Sequence, residues 1–266
     1  MPPTTTIGVF DSGFGGLTVL KALLEAVPDA NYYYFGDTAR LPYGSKSVET
    51  VAKYAVEAAH FLERQGAQLL VIACNTATAL ALGQIRQATG VPVIGVIEPG
   101  AESASAASRT RKAVVIGTEA TVSSHAYHKA LAARGVEANE KACPLLVPLV
   151  EEGWVEHPVT EQVARIYLQQ AFVNGFENAD VLLLGCTHYP LLKPLLRRVA
   201  PEHVSIVDSA ESTARTVQDQ LGGPKTCSGS PALQFFATDS VEKFSRLGAR
   251  FLGRPIARVE HVDLKE

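Results

Sequence analysis

Two cysteines stand where short apolar runs give way to polar residues: Cys74 after Leu69-Leu70-Val71-Ile72-Ala73, and Cys186 after Val181-Leu182-Leu183-Leu184-Gly185. Such a run, stopping at Cys-Asn-Thr or Cys-Thr-His, reads as a buried strand that passes into the start of a helix. Backbone N–H groups at a helix start lack partners and the helix field favours an anion, so a thiolate or a bound carboxylate is stabilised there. A free thiol begins near pKa ~8.5, within reach of acid/base work at neutral pH once its surroundings shift it. Either cysteine alone reads equally well as a packed core thiol. Two in matching frames point to a pair, because removing a Cα proton from one face of an amino acid and adding one to the other needs two acid/base groups on opposite sides. A covalent thiol mechanism needs only one activated cysteine and gives the second no purpose.

Further polar residues surround these frames. Asp11-Ser12-Gly13-Phe14-Gly15-Gly16 comes after a strand-like run and is rich enough in glycine for close backbone approach. Its glycine spacing fits neither a dinucleotide-binding nor a phosphate-binding loop, so no nucleotide is required. Asp11 reads either as a helix cap or as a group that holds a substrate ammonium and tunes a thiol. His188, two residues after Cys186, is placed to assist it as base, hydrogen-bond partner or local cation. Asn75 and Thr187 come directly after the thiols as ligand contacts or caps, and Leu41-Pro42-Tyr43-Gly44-Ser45 is a second lining element. No spacing typical of a zinc site accompanies Cys186 and His188, so no metal is expected. Cys143 and Cys227 have no helix-start frame and read as structural or incidental.

The elements that must position these groups alternate strand and helix. Strands are predicted over Ile7–Phe10, Tyr32–Phe35, Leu69–Ala73, Val91–Ile97, Ala113–Ile116, Val181–Leu184, Val204–Val207 and Gln234–Ala237. Helices are predicted over Leu17–Ala26, Ser47–Arg64, Ala77–Ala88, Thr121–Arg134, Ala210–Leu221 and Val241–Phe251. This alternation predicts an α/β protein with mostly parallel sheets covered on both faces. The run ending at Cys74 resembles the run ending at Cys186, and Asp11 precedes its cysteine by much the same stretch as Thr118 precedes the other. The pattern implies an internal repeat of two similar three-layer domains, residues 1–97 plus 209–266 and residues 98–208, with a hinge at Glu98-Pro99-Gly100 and the active site in the interdomain cleft.

With 24 Lys and Arg against 27 Asp and Glu, the net charge of −3 favours neither nucleic acid nor an anionic membrane as partner. The apolar runs fall far short of the ~18–20 residues of a membrane span, no secretory signal is visible, and four cysteines are too few for a disulfide scaffold. These features predict a cytoplasmic enzyme with reduced thiols.

Taken together, Asp11-Ser12-Gly13-Phe14-Gly15-Gly16, Pro42-Tyr43-Gly44, Ala73-Cys74-Asn75-Thr76-Ala77 and Leu184-Gly185-Cys186-Thr187-His188-Tyr189-Pro190 resemble the bacterial glutamate racemases, over nearly the whole chain. The resemblance implies interconversion of L- and D-glutamate without cofactor or metal, supplying the D-isomer for peptidoglycan, by a protein that commonly dimerises. It implies that Cys74 takes the α-proton of D-glutamate, that Cys186 takes that of L-glutamate, and that Asp11 and His188 assist the flanking thiols. A carboxylate of Pro148-Leu149-Val150-Glu151-Glu152-Gly153 does likewise, matched to Glu151 with Glu152 as its neighbouring alternative. Asp11, Ser12, Tyr43, Gly44, Asn75, Thr76, Thr187 and His188 are then the substrate contacts. A racemase of aspartate or another acidic amino acid shares this chemistry, whereas a non-catalytic binder of acidic ligands needs the helix starts but not both thiols.

Overall fold

A computed structural model describes residues 5–223 and 231–264; Cys227 and most of the predicted Gly222–Pro231 loop lie outside them. The apolar runs become two wholly parallel sheets. The first holds β1 (Thr6–Asp11), β2 (Asn31–Gly36), β3 (Leu69–Ile72), β4 (Val93–Gly95), β9 (Leu233–Ala237) and β10 (Glu260–His261), in the order β10-β9-β2-β1-β3-β4. The second holds β5 (Lys112–Gly117), β6 (Glu137–Ala142), β7 (Val181–Gly185) and β8 (Ser205–Asp208), in the order β6-β5-β7-β8. Strands β2-β1-β3-β4 and β6-β5-β7-β8 thus repeat one order, with β9 and β10 added at the β2 edge of the first sheet. In both, the chain first steps to one side of the leading strand and then to the other, so a crevice opens at the carboxyl ends of β1 and β3, and again at those of β5 and β7.

Burial explains why the strands read as unbroken apolar runs. In the first sheet Ile7, Val9, Leu69 and Val71 pack in one cluster with Leu17, Leu20 and Leu23 of the helix Leu17–Ala26. On the other side Phe10, Leu70 and Ile72 meet Val51, Ala55, Ala59 and Leu62 of the helix Val48–Arg64 and Ala77, Ala81 and Ile85 of the helix Asn75–Ala88. The second sheet is covered in the same way, Val114, Ile116, Leu182 and Leu184 in one cluster and Ala113, Val115, Val181 and Leu183 in another. The cluster containing Val9 also contains Val114 and Leu184, so apolar packing continues from one sheet to the other.

Several expectations of the elements differ from the structure. Glu98-Pro99-Gly100, the expected hinge, is helical: it forms part of the first turn of the helix Ile97–Ala107, where the missing N–H of proline costs little and Glu98 complements the helix dipole. The predicted helix Thr121–Arg134 is two helices, Glu119–Ser123 and Ala126–Ala132, separated by His125 at φ 54°, after Ser124 has turned its hydroxyl back to the Thr121 carbonyl. The strand predicted over Val91–Ile97 shortens to Val93–Gly95 because Val96 caps the helix Ile97–Ala107.

Candidate active site

The two cysteines occupy equivalent ends of equivalent strands, but their local frames differ. Cys74 caps the helix Asn75–Ala88, and its sulfur accepts the Ala77 N–H at 3.4 Å. Cys186 comes after β7 and is separated by Thr187 and His188 from a single 3-10 turn, Tyr189–Leu192, with the longer helix Lys193–Val199 beginning only after it. The helix start expected immediately after Cys186 is therefore displaced, because Pro190 and the tight turn take the place of a first α-helical turn.

Both cysteines line one cavity of about 500 Å³. Ser12, Tyr43 and Gly44 share its wall with Asn75 and Thr76 on the first half, and Thr187, His188 and Glu151 approach from the second. Leu41, Pro42, Pro144, Val147 and Pro148 make the apolar part of the lining. Asp11 is not on the wall: it is fully buried beneath it, with Oδ2 accepting the Gly13 N–H at 2.9 Å. Glu152 is exposed and does not line the cavity, so of the two neighbours Glu151 is the one that does. Cys143 is buried off the cavity, with its thiol directed to the Lys141 carbonyl at 3.5 Å.

The thiols sit in unlike electrostatic settings. Burial, reinforced by the charge of Asp11, pushes the Cys74 thiol up to about 12, so it rests protonated and donates to Ser12 Oγ at 3.5 Å. Burial also raises the Asp11 carboxyl, against the charge of His188 and hydrogen bonds from Gly13 and Gly16. Across the cavity, Cys186 Sγ lies 3.9 Å from His188 Nδ1, while His188 Nε2 lies 3.2 Å from Glu151 Oε1. Burial works against a charged imidazole, but the hydrogen bonds and charges of Cys186 and Glu151 outweigh it and raise His188 to about 10. Burial likewise disfavours ionised Glu151, yet His188 and Lys243 together hold its carboxyl below the usual range. An imidazolium with a carboxylate behind it therefore faces the Cys186 sulfur.

The structure adds Lys243 and Thr121, which the sequence does not single out, and gives Thr76 and Thr118 partners. Lys243, on the helix Val241–Leu252 that comes after β9, lines the cavity and reaches Glu151 Oε2 at 3.7 Å; being half-exposed and distant in sequence, it leaves no signal. Thr118, Thr121 and Thr76 join hydroxyls at 2.9–3.2 Å across the gap between the halves. By strand register Thr118 is the counterpart of Ser12, the residue after β1, since Phe10 pairs with Ile72 as Ile116 pairs with Leu184, two residues before each cysteine. Tyr43 is deeply buried with its hydroxyl donating to Asp37 Oδ2 at 2.6 Å, so it offers the cavity its flank and not its hydroxyl. Among the described residues no group of three or more His, Cys, Asp or Glu side chains is placed to hold a metal ion, and no helix is long and apolar enough to cross a membrane.

Paired parallel sheets that bring two strand-end thiols to one cavity define a racemase-type α/β fold. Residues 7–217 match the Asp/Glu/Hydantoin racemase family, and the chain belongs to that family. It is 60% identical to the glutamate racemase of Koribacter versatilis, with 97% of each chain covered. Among solved structures, a glutamate racemase isoform from Bacillus anthracis superimposes with a TM-score of 0.90 at 38% identity, 98% of each chain being covered. The glutamate racemase from Francisella tularensis, solved in complex with D-glutamate, does so with a TM-score of 0.89 at 35% identity and the same coverage.

Proposed function

We propose that the protein interconverts L- and D-glutamate with Cys74 and Cys186 as the two acid/base groups, and so supplies D-glutamate for peptidoglycan. The observation that carries this reading is the arrival of both thiols on one cavity wall from equivalent strands of the two sheets. The substrate is drawn from the relatives, named as glutamate racemases and in one case solved with D-glutamate. Cys186, beside the His188 imidazolium, removes the α-proton of L-glutamate while the protonated Cys74 delivers one to the opposite face; the reverse reaction exchanges the roles. The α-proton is weakly acidic, so the site must also stabilise a carbanion-like state. The helix start at Asn75, the His188 cation and the largely apolar lining supply that stabilisation. The chain passes between sheets after β4 and after β8, which supports a division into residues 1–97 plus 209–266 and residues 98–208. A cytoplasmic homodimer is the accompanying expectation, drawn from the sequence resemblance.

The test is incubation of each enantiomer of glutamate and of aspartate in deuterated water without added cofactor, with optical rotation and α-deuterium incorporation as the readouts. Glutamate should lose optical activity and acquire deuterium. Folded, reduced protein that does neither with glutamate, or that prefers aspartate, overturns the assignment.

Gly15 offers a separate check on the site. A Cβ built there would collide with Thr187 Oγ1 and stand 2.7 Å from His188 Nδ1, so the first loop approaches the second thiol loop as closely as it does only because residue 15 has no side chain. Gly15→Ala is expected to lower kcat/KM for glutamate by at least about tenfold, since misplacing groups beside the reacting centre by a fraction of an ångström is costly. Steady-state kinetics at matched folded fraction measures it; wild-type activity in this variant would show that the loop contact is irrelevant to turnover.

A further inference from the structure

Tyr127 lies on the helix Ala126–Ala132, is fully buried, and touches both thiol-bearing loops. Its Oη accepts from Asn75 Nδ2 at 2.8 Å, and Asn75 is the residue directly after Cys74. On the other side its ring backs Gly185, the residue before Cys186: a Cβ there would stand 3.0 Å from Tyr127 Cε2. The hydroxyl end is enclosed where the chain passes between the sheets, since a Cβ on Gly100 would stand 3.3 Å from Tyr127 Oη and 3.1 Å from Ser209 Cβ. Gly100 is in the helix after the first crossing and Ser209 opens the helix after the second. Tyr127 itself does not reach the cavity wall, whereas Asn75 does.

Packing alone does not account for a tyrosine at this position. Phenylalanine would fill the same space between Gly100 and Gly185 without a hydroxyl that burial requires to be partnered. The hydroxyl does what the ring cannot: besides a hydrogen bond with the Ser209 side chain, it takes Nδ2 of Asn75 and so fixes which way that amide faces. Asn75 Oδ1 is then a buried acceptor with no partner among the described residues, beside the cavity that both cysteines line. An orphaned acceptor in such a place is satisfied when a donor on a bound molecule arrives.

We propose that Tyr127 is a positioning residue for substrate binding, its hydroxyl locking the Asn75 amide so that Oδ1 is left free to accept from the bound substrate. The inference rests on the glutamate racemase reading, and wild-type turnover and glutamate binding report on that reading separately.

The experiment is a double-mutant cycle of Tyr127→Phe and Asn75→Ala, with kcat and KM for glutamate and a melting temperature for each protein. Tyr127→Phe should raise KM about tenfold, the loss expected for one misplaced hydrogen bond, with kcat within about twofold of wild type. In the Asn75→Ala background the same substitution should change KM by less than about twofold, because residues acting through one bond are not additive. A melting temperature that falls with KM unmoved, or independent effects that multiply in the double variant, would reduce Tyr127 to a packing role and overturn the proposal. A second measurement does not depend on any variant. In wild-type protein labelled with ¹⁵N-asparagine, one side-chain amide proton of Asn75 should resist exchange with solvent in the absence of glutamate; rapid exchange of both would overturn the lock even if Tyr127→Phe failed to fold.

Discussion

Cys74→Ser and Cys186→Ser should each lower glutamate racemisation by at least about a thousandfold, within the range that removal of a positioned acid/base group costs. A serine hydroxyl keeps the shape and the hydrogen bonds but is a far weaker acid than a thiol, so it serves neither as the resting base nor as a ready proton donor. The two variants should nevertheless differ. The enantiomers have equal free energy, so kcat/KM must fall by the same factor in both directions, and net rates cannot reveal which thiol serves which face. Proton exchange can. Cys74→Ser retains the sulfur that faces L-glutamate and should wash deuterium into L-glutamate with retention; Cys186→Ser should do so only with D-glutamate. Isotope exchange measured by mass spectrometry and chiral chromatography reads this directly. Near-normal racemisation in either variant would defeat the two-thiol account, and exchange with the opposite handedness would interchange the roles of the two cysteines.

The handedness test matters because the sequence makes the thiols look more alike than they are. The runs before Cys74 and Cys186 are legible because strands buried on both faces must be apolar throughout, and the repeat survives as an identical order of four strands. The backbone immediately after each thiol is not legible at the same depth. Asn75-Thr76-Ala77 continues into an α-helix, while Pro190 after Cys186 makes a 3-10 turn, a difference of backbone hydrogen bonding that the helix-start residues share and therefore conceal. Strand β6 leaves no signal because it is an edge strand with no buried residue, Glu-Ala-Asn-Glu-Lys-Ala, and so carries neither alternation nor an apolar run. The helix Leu146–Glu151, which delivers Glu151, is only six residues long and contains Pro148, too short for a period to show. Lys243 and Tyr127 are invisible for a different reason: each acts on a partner more than fifty residues away, and only tertiary packing makes that pairing.

The charge pattern around His188 gives the second large effect. His188→Gln removes the cation beside Cys186 while leaving an amide of similar reach, and kcat/KM for glutamate should fall about a hundredfold. Folding stability should respond with a definite sign. In the folded protein His188 is raised from 6.5 to about 10 by Cys186 and Glu151, against the opposing effect of burial, so between those values the folded state binds the proton that the unfolded state has released. Its stabilising contribution is therefore complete below about pH 6.5, declines as pH rises, and is gone once pH passes through about 10. Glu151 behaves in the opposite sense. Its carboxyl is lowered in the folded state, so its contribution is present above its unfolded value of 4.5 and is lost as pH falls through the folded one. The pair should thus support the fold most between these limits, in the acidic to neutral range. Melting temperatures of wild type and His188→Gln, recorded from about pH 6 to about pH 10.5, should converge as pH rises. A difference that stays constant across that range would mean that His188 is neutral in the folded protein, and that Cys186 works beside an uncharged imidazole.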